Sequence, residues 1–230
     1  MSKKFDLNIE DVLENWEVHH AVREVIANAL DEQSISGTSD IEIFEGEEGW
    51  HIRDFGRGIQ IEHFTMNENP EKLEAEGGVI GKFGVGLKDA LATFSRNNIS
   101  PVIKSAHGTF TIAAYRKHGF DNISTLHVEY DDTPNNMKGT NVYLKGATKS
   151  HITDAKDLFL KFSDTNVVEE TKFGSILDPV DSGSNRVYIN GVLANEEENF
   201  LYSYNITRLT KQMRKALNRE RTNVGRATYT

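Results

Sequence analysis

The spacing of apolar and polar residues separates this chain into helical and extended stretches. From His19 to Gln33 the apolar positions Val22, Val25, Ile26, Ala29 and Leu30 recur at helical intervals. That period predicts a helix with one face on a core. Ile9 to Trp16 predicts a shorter helix, and Ser34 to Asp40 is turn-rich. Ile41–Phe44 and Trp50–Arg53 read as two strands of a hairpin, joined by the acidic, glycine-containing EGEEG. Residues 62–80 have little periodicity and read as a long loop, a lid in many compact domains. Lys82 to Ser95 opens with glycines and ends as a helix. Four strand-like runs follow, at Val102–Ser105, Phe110–Arg116, Thr125–Tyr130 and Thr140–Leu144. Asp154–Phe162 reads as an amphipathic helix and residues 163–185 give no clear period. Arg186–Val192 reads as a strand ending at Asn190-Gly191, and Thr207–Asn218 as a basic helix. Helix, hairpin, loop, helix and then consecutive strands favour an α+β fold, with helices on one face of a mixed, mostly antiparallel sheet.

Composition narrows the class. The 230 residues are 37% hydrophobic and 27% charged, as in ordinary globular proteins. No apolar run approaches the roughly 18 residues of a membrane span. The start, MSKKFDLN, has two lysines and no apolar stretch behind them, so no signal peptide is expected. The absence of cysteine excludes disulfides and cysteine-held zinc, and a cytoplasmic location is the expectation.

Charge is uneven. Residues 206–230 hold seven basic side chains (Arg208, Lys211, Arg214, Lys215, Arg219, Arg221, Arg226) and the one acid Glu220, a net +6 against −9 for the whole chain. An acidic body with a basic end is compatible with a nucleic-acid contact, a charged helix face or an interface.

Four stretches could carry chemistry. Glu24 and Asn28 lie one helical turn apart, and Asp31 returns to nearly the same azimuth. A carboxylate and a carboxamide on one stripe suit phosphoryl chemistry: Asn offers Mg²⁺ a hard oxygen, and Glu can deprotonate a water. Such a pair is also a common solvated helix face. Asp54-Phe55-Gly56-Arg57-Gly58 follows a strand, and its glycines permit close approach or positive φ. An aspartate there can accept from an exocyclic amine, although an ordinary turn has the same look. Gly81-Lys82-Phe83-Gly84-Val85-Gly86-Leu87-Lys88 opens a helix, where free backbone N–H groups and the helix N-terminus suit an anion. It is not a Walker A loop, because Lys82 is followed by Phe83 and not by Ser or Thr. Gly139-Thr140, at the start of a strand, says little alone.

In this order and at these spacings the four stretches resemble the nucleotide boxes of the GHKL ATPases, the family of gyrase B, the heat-shock chaperones, histidine kinases and the MutL mismatch-repair ATPases. HHAVREVIANALDE is similar to the N box, most of all in its type II topoisomerase form. DFGRGI is similar to the G1 box, KGTNVYL to the last glycine box, and GKFGVGLKDAL to the G2 box, with echoes of the heat-shock chaperones and the MORC ATPases. The likeness covers roughly residues 10–146 and implies a Bergerat two-layer α/β sandwich. It divides the chain into an ATP-binding domain, 1–165, and a small C-terminal extension, 166–230, expected to begin a transducer-like element or a dimer arm. An ending at ATYT is compatible with a fragment.

The resemblance implies roles at the matching positions. Glu24 would be the base that activates water. Asn28 would bind Mg²⁺, with Asp31 beside the nucleotide. Asp54 would accept from the adenine amine, Gly56 and Gly58 would shape that loop, Ile59 would lie against the ring, and Thr140 would support Asp54 or a water beside it. Gly81, Lys82, Phe83, Gly84, Val85 and Gly86 would wrap the phosphates, with Leu87 and Lys88 at the helix start. The implied cofactors are ATP and Mg²⁺. The implied assembly is a homodimer, with a nucleic-acid or protein client met through residues 206–230. An ATP-gated binding module with little turnover is the alternative. Histidine kinases place Asn where this chain has Glu24, so a phosphotransferase is disfavoured. His19 and His20 read as packing residues and not as phospho-acceptors.

Overall fold

Alternation along the predicted strands turns out to set the register of a seven-stranded antiparallel sheet. The computed structural model describes residues 3–7, 16–65, 79–80, 86–117, 123–180, 183–210 and 213. The chain forms two compact units, one from residues 1–74 and 81–155, the other from residues 75–80 and 156–230.

In the first unit the elements are β1 (Lys3–Asp6), α1 (Val18–Ser36), β2 (Glu42–Glu45), β3 (Gly49–Arg53), the one-turn helix α2 (Glu62–Thr65), α3 (Gly86–Arg96), β4 (Ser100–Ser105), β5 (Gly108–Arg116), β6 (Ser124–Asp131) and β7 (Thr140–Lys145). Helix α4 (Lys149–Asp157) follows. The strands line up as β1-β6-β5-β4-β7-β3-β2, every pair antiparallel. Register places Ile52 beside Val142, Val142 beside Ile103 and Ile103 beside Phe110. All four are buried. They form one apolar row across four strands, because side chains of paired residues share a face. Helices α1 and α3 pack on each other and against this sheet. The opposite face carries Phe44, His51 and Tyr143, whose rings stack at centroid distances of 4.7 and 4.4 Å.

The second unit is a five-stranded mixed sheet of β8 (Val167–Thr171), β9 (Gly174–Leu177), β10 (Asn185–Ile189), β11 (Val192–Glu197) and β12 (Ser203–Ile206), in the order β11-β10-β12-β9-β8. Only β10 and β12 run parallel. Ile189, Ala194, Leu209 and Met213 form a buried cluster, with Ile206 against it. Among the described residues no helix is long and apolar enough to cross a membrane.

The α+β class and the mostly antiparallel pairing follow the sequence expectation. Some elements differ in extent. In place of one helix over Asp154–Phe162, α4 ends at Asp157 and a single 3₁₀ turn covers Leu160–Phe162. The break has a tertiary cause: Leu193 N donates to Leu158 O at 2.8 Å and Leu160 N to Gly191 O at 2.9 Å, so these residues pair with the β10–β11 turn. Asn190-Gly191 ends β10 as expected, and both residues have positive φ, 49° and 78°. That suits a two-residue hairpin turn leading straight into β11. All but Trp16 of the helix expected at residues 9–16, most of the 62–80 loop, and most of the helix expected at 207–218 fall outside the described residues.

Phe110 is fully buried and rests on Phe64, with ring centroids 5.0 Å apart. Phe110→Ala should lower unfolding stability by about 3–5 kcal/mol, while Val168→Thr on the exposed β8 should change it by about 0.5 kcal/mol or less. Urea unfolding of both variants checks the contrast.

Candidate functional site

Helix α1 positions the first group. From Ala21 to Ala27 it is buried on every side, so Glu24 is only 7% exposed and Asp31 is fully buried, while Asn28 is half-buried. An ordinary solvated face does not describe the stripe of Glu24, Asn28 and Asp31. A buried carboxylate needs compensation. Arg23 supplies it: its Nε and Nη2 donate to Glu24 Oε1 at 3.2 and 3.0 Å, with Arg23 itself buried. The guanidinium also lies over the Trp16 ring, 5.5 Å from its centroid. The other carboxylate oxygen, Oε2, lies against Gly86, the first residue of α3. A Cβ on Gly86 would sit 2.4 Å from that oxygen, so the missing side chain makes room for the acid.

The start of α1 explains the histidine pair. The ring Nδ1 of His20 accepts from the Glu17 N–H at 3.2 Å, satisfying an N–H outside the helical ladder. His19 Nδ1 lies 3.3 Å from Glu17 Oε2, and the two rings pack at 4.0 Å. Burial, then the neighbouring His19 and Arg23, lower the His20 pKa to about 4. The neutral ring is the form that can accept through Nδ1. Both histidines are packing and capping residues here.

The second group is built on the end of β3. Asp54 continues the ladder with β7, its N–H donating to Thr140 O at 2.9 Å. Its carboxylate Oδ1 then accepts from Gly56 N at 2.9 Å and from Thr140 N at 3.2 Å. Asp54 is 5% exposed. Burial pushes its carboxyl above the usual range, and the bonds from Gly56 and Thr140 pull the other way. Gly139, at φ +73°, crosses directly over this residue: a Cβ there would lie 2.0 Å from Asp54 O. Ile59 N donates to Thr140 Oγ1 at 3.0 Å. Asp54, Gly56, Ile59 and Thr140 are therefore joined by hydrogen bonds.

An ion pair ties that loop to α1. Arg57 donates to Glu32 from its backbone N at 2.8 Å and from Nε and Nη2 at 3.0 Å each. Burial alone would raise the Glu32 carboxyl, but the bonds from Arg57, with one from Ser36, outweigh it and bring the pKa to about 2. Gly56 lies under the same carboxylate, where a Cβ would meet Glu32 Oε1 at 2.4 Å. Arg23, Glu32 and Arg57 carry no mark of these roles in the sequence. Opposite charges in neighbouring motifs were visible, but no spacing rule marked them as partners. Leu87 and Lys88 are half-buried on the first turn of α3. Gly81, Lys82, Phe83, Gly84 and Val85 lie outside the described residues. Among the described residues there is no group of three His, Cys, Asp or Glu side chains that could hold a metal ion.

Relatives place the chain in a family. A Mycoplasma pneumoniae protein (strain ATCC 29342 / M129), described as an uncharacterized protein, is 38% identical over 231 residues, covering 97% of this chain and 92% of that protein. The chain belongs to the family of this mycoplasma protein. Within the family match, residues 150–230 fit the model of the Mycoplasma pneumoniae MPN635 N-terminal domain. Among solved structures, the ATPase region of Saccharomyces cerevisiae topoisomerase II bound to ICRF-187 (dexrazoxane) is similar at TM-score 0.46 and 11% identity, over 77% of this chain. A second structure of the same region gives TM-score 0.42 and 12% identity, also over 77% of this chain. The chain spans 62% of the length of each of these two structures.

The His20 cap makes a pH prediction. The folded ring titrates near 4 and an unfolded histidine near 6.5. Between those values the unfolded chain binds more protons, so stability rises with pH. The contribution is complete above about pH 6.5 and is lost as pH falls toward 4. Discounted for a half-exposed ring, it is roughly 1–2 kcal/mol. His20→Gln keeps an acceptor at this position and removes the titration, so its urea midpoint should change less between pH 6.5 and 4 than that of the native protein.

Proposed function

We propose that this chain binds ATP with Mg²⁺ and hydrolyses it, with Glu24 as the base that activates water. The observation that carries this reading is the buried Glu24 carboxylate, held by Arg23 at one oxygen and given room at the other by a glycine at the start of α3. The bonds from Arg23 fix the orientation of the carboxylate that would take the proton of an attacking water. Burial with an ion-pair partner is an arrangement that a solvated helix face does not need.

The remaining residues fit the group they would hold. Asp54 is a buried carboxylate in a loop whose glycines bring backbone close to β7, and it would accept from the amino group of adenine. Thr140 would hold that acid in place through its own N–H, and Ile59 would present its side chain to the ring. Asn28 would offer one oxygen to Mg²⁺, with Asp31 on the same stripe. Among the described residues the donors suit a magnesium ion that arrives with phosphate oxygens and keeps its waters, and they do not suit an all-protein cage. Magnesium would neutralise phosphate charge there. Gly81, Lys82, Phe83, Gly84, Val85 and Gly86 would wrap the phosphates by their backbone N–H groups, with Leu87 and Lys88 behind them. Homodimerisation, lid closure by residues 62–80 and a client met through the basic residues 206–230 complete the proposal.

Phosphate release from ATP with Mg²⁺, measured beside nucleotide binding, tests it. Glu24→Gln should retain ATP binding and lose turnover by about a hundredfold or more. Unchanged turnover in that variant would sink the base assignment. Asp54→Asn should weaken ATP binding by about ten- to a hundredfold, the worth of one hydrogen bond to a charged group. Calorimetric titration of that variant with ATP reads this directly, and native-like affinity would remove Asp54 from base recognition.

A further inference from the structure

Strands β4 and β7 are neighbours, and their register sets Ser105 opposite Thr140. Both are buried, Ser105 completely. Ile59 spans the pair. Its N–H donates to Thr140 Oγ1 at 3.0 Å, and its carbonyl accepts from Ser105 Oγ at 2.6 Å. The Ser105 hydroxyl in turn accepts from the His107 N–H at 3.1 Å. With that backbone donor on the oxygen, the hydroxyl proton is aimed at the Ile59 carbonyl.

Packing makes the same point. Gly58 has φ +87°, and a Cβ on it would lie 3.2 Å from Ser105 Cβ and 3.0 Å from Gly139 O. The loop therefore rests on the ends of β4 and β7 with no spare layer between. The His107 ring adds a contact from its Nε2 to Arg57 O at 3.2 Å.

The geometry points to Ser105 as a positioning residue for the base end of the nucleotide site, fixing the carbonyl side of Ile59 and so the surface that Ile59 offers to the ring. This rests on the ATP-binding reading above. Ser105 touches no reacting atom. It acts through the carbonyl of Ile59, while the bonds to Asp54 come from Gly56 N and from the backbone and side chain of Thr140. Losing the Ser105 hydroxyl should free Ile59 without releasing Asp54. Base affinity should fall while chemistry at Glu24 stays as it is.

The full chain tests this through Ser105→Cys, which keeps nearly the same volume and replaces a strong donor by a weak one, and through Ser105→Ala. Kd for ATP and for GTP would be measured by calorimetry with Mg²⁺, kcat and KM by phosphate release, and folding by thermal unfolding. The expected result in both variants is a Kd and KM for ATP raised about tenfold, kcat within twofold of native, and a narrower preference for ATP over GTP. If Ser105→Ala does not fold, Ser105→Cys alone decides. Native ATP affinity and base preference in Ser105→Cys would overturn this role and leave the ATP-binding reading standing. A parallel fall in kcat and affinity would also overturn it. A native chain that binds no ATP would overturn both.

Discussion

The register of β7 between β3 and β4 is the constraint on which the rest depends. In a strand the side chains alternate with a period of two, so a slip of one residue would turn Thr140, Val142 and Leu144 from the inner to the outer face. The apolar row Ile52, Val142, Ile103 and Phe110 penalises such a slip. The same register holds Thr140 against both Asp54 and Ile59. Core packing thus fixes the polar loop to within a hydrogen bond. The glycines at 58 and 139 are what let the backbones come that close.

Charge burial is the second organising feature. Arg23 with Glu24 and Arg57 with Glu32 are two ion pairs whose acids both lie on α1, the first buried and the second half-exposed. A buried pair is weak evidence for stability, since desolvation offsets most of its attraction. Its value is positional. Arg23 fixes the orientation of Glu24, and Arg57 couples α1 to the loop that carries Asp54. One helix therefore reaches both candidate groups through its own acids.

Much of this was legible in the sequence, and the reasons differ by element. Helix α1 was plain because its apolar period is long and unbroken. The strands β2 to β7 were plain because inward and outward positions alternate. β1 was not read at all: Lys-Lys-Phe-Asp has no apolar alternation and becomes a strand only by pairing with β6. β8 was hidden for a similar reason, since all five residues of VVEET are exposed and no face repeats. The helix expected through Phe162 stopped early because Leu158 and Leu160 found partners in a turn that lies more than 30 residues further on. At the candidate site, residue types and order could be read, and so could the stripe on α1. The guanidinium partners could not, because long side chains pair across space without a sequence period. Ser105 had no signal either, as a serine ending a strand is ordinary until its register partner is known.

Val79 is buried and belongs to the second unit, where the Asn190 side-chain amide donates to its carbonyl at 3.3 Å across 111 residues of sequence. On a ribosome, Val79 emerges long before Asn190 is synthesised. Closing that separation is slow, because loop entropy must be overcome before the contact gives anything back. The hairpins β2–β3, β4–β5 and β5–β6 close over far shorter separations and can pair as they emerge, whereas β1 waits for β6 over a separation longer still. The order of synthesis therefore makes Val79 a late arrival, its carbonyl waiting for the Asn190 amide until 111 further residues have been made.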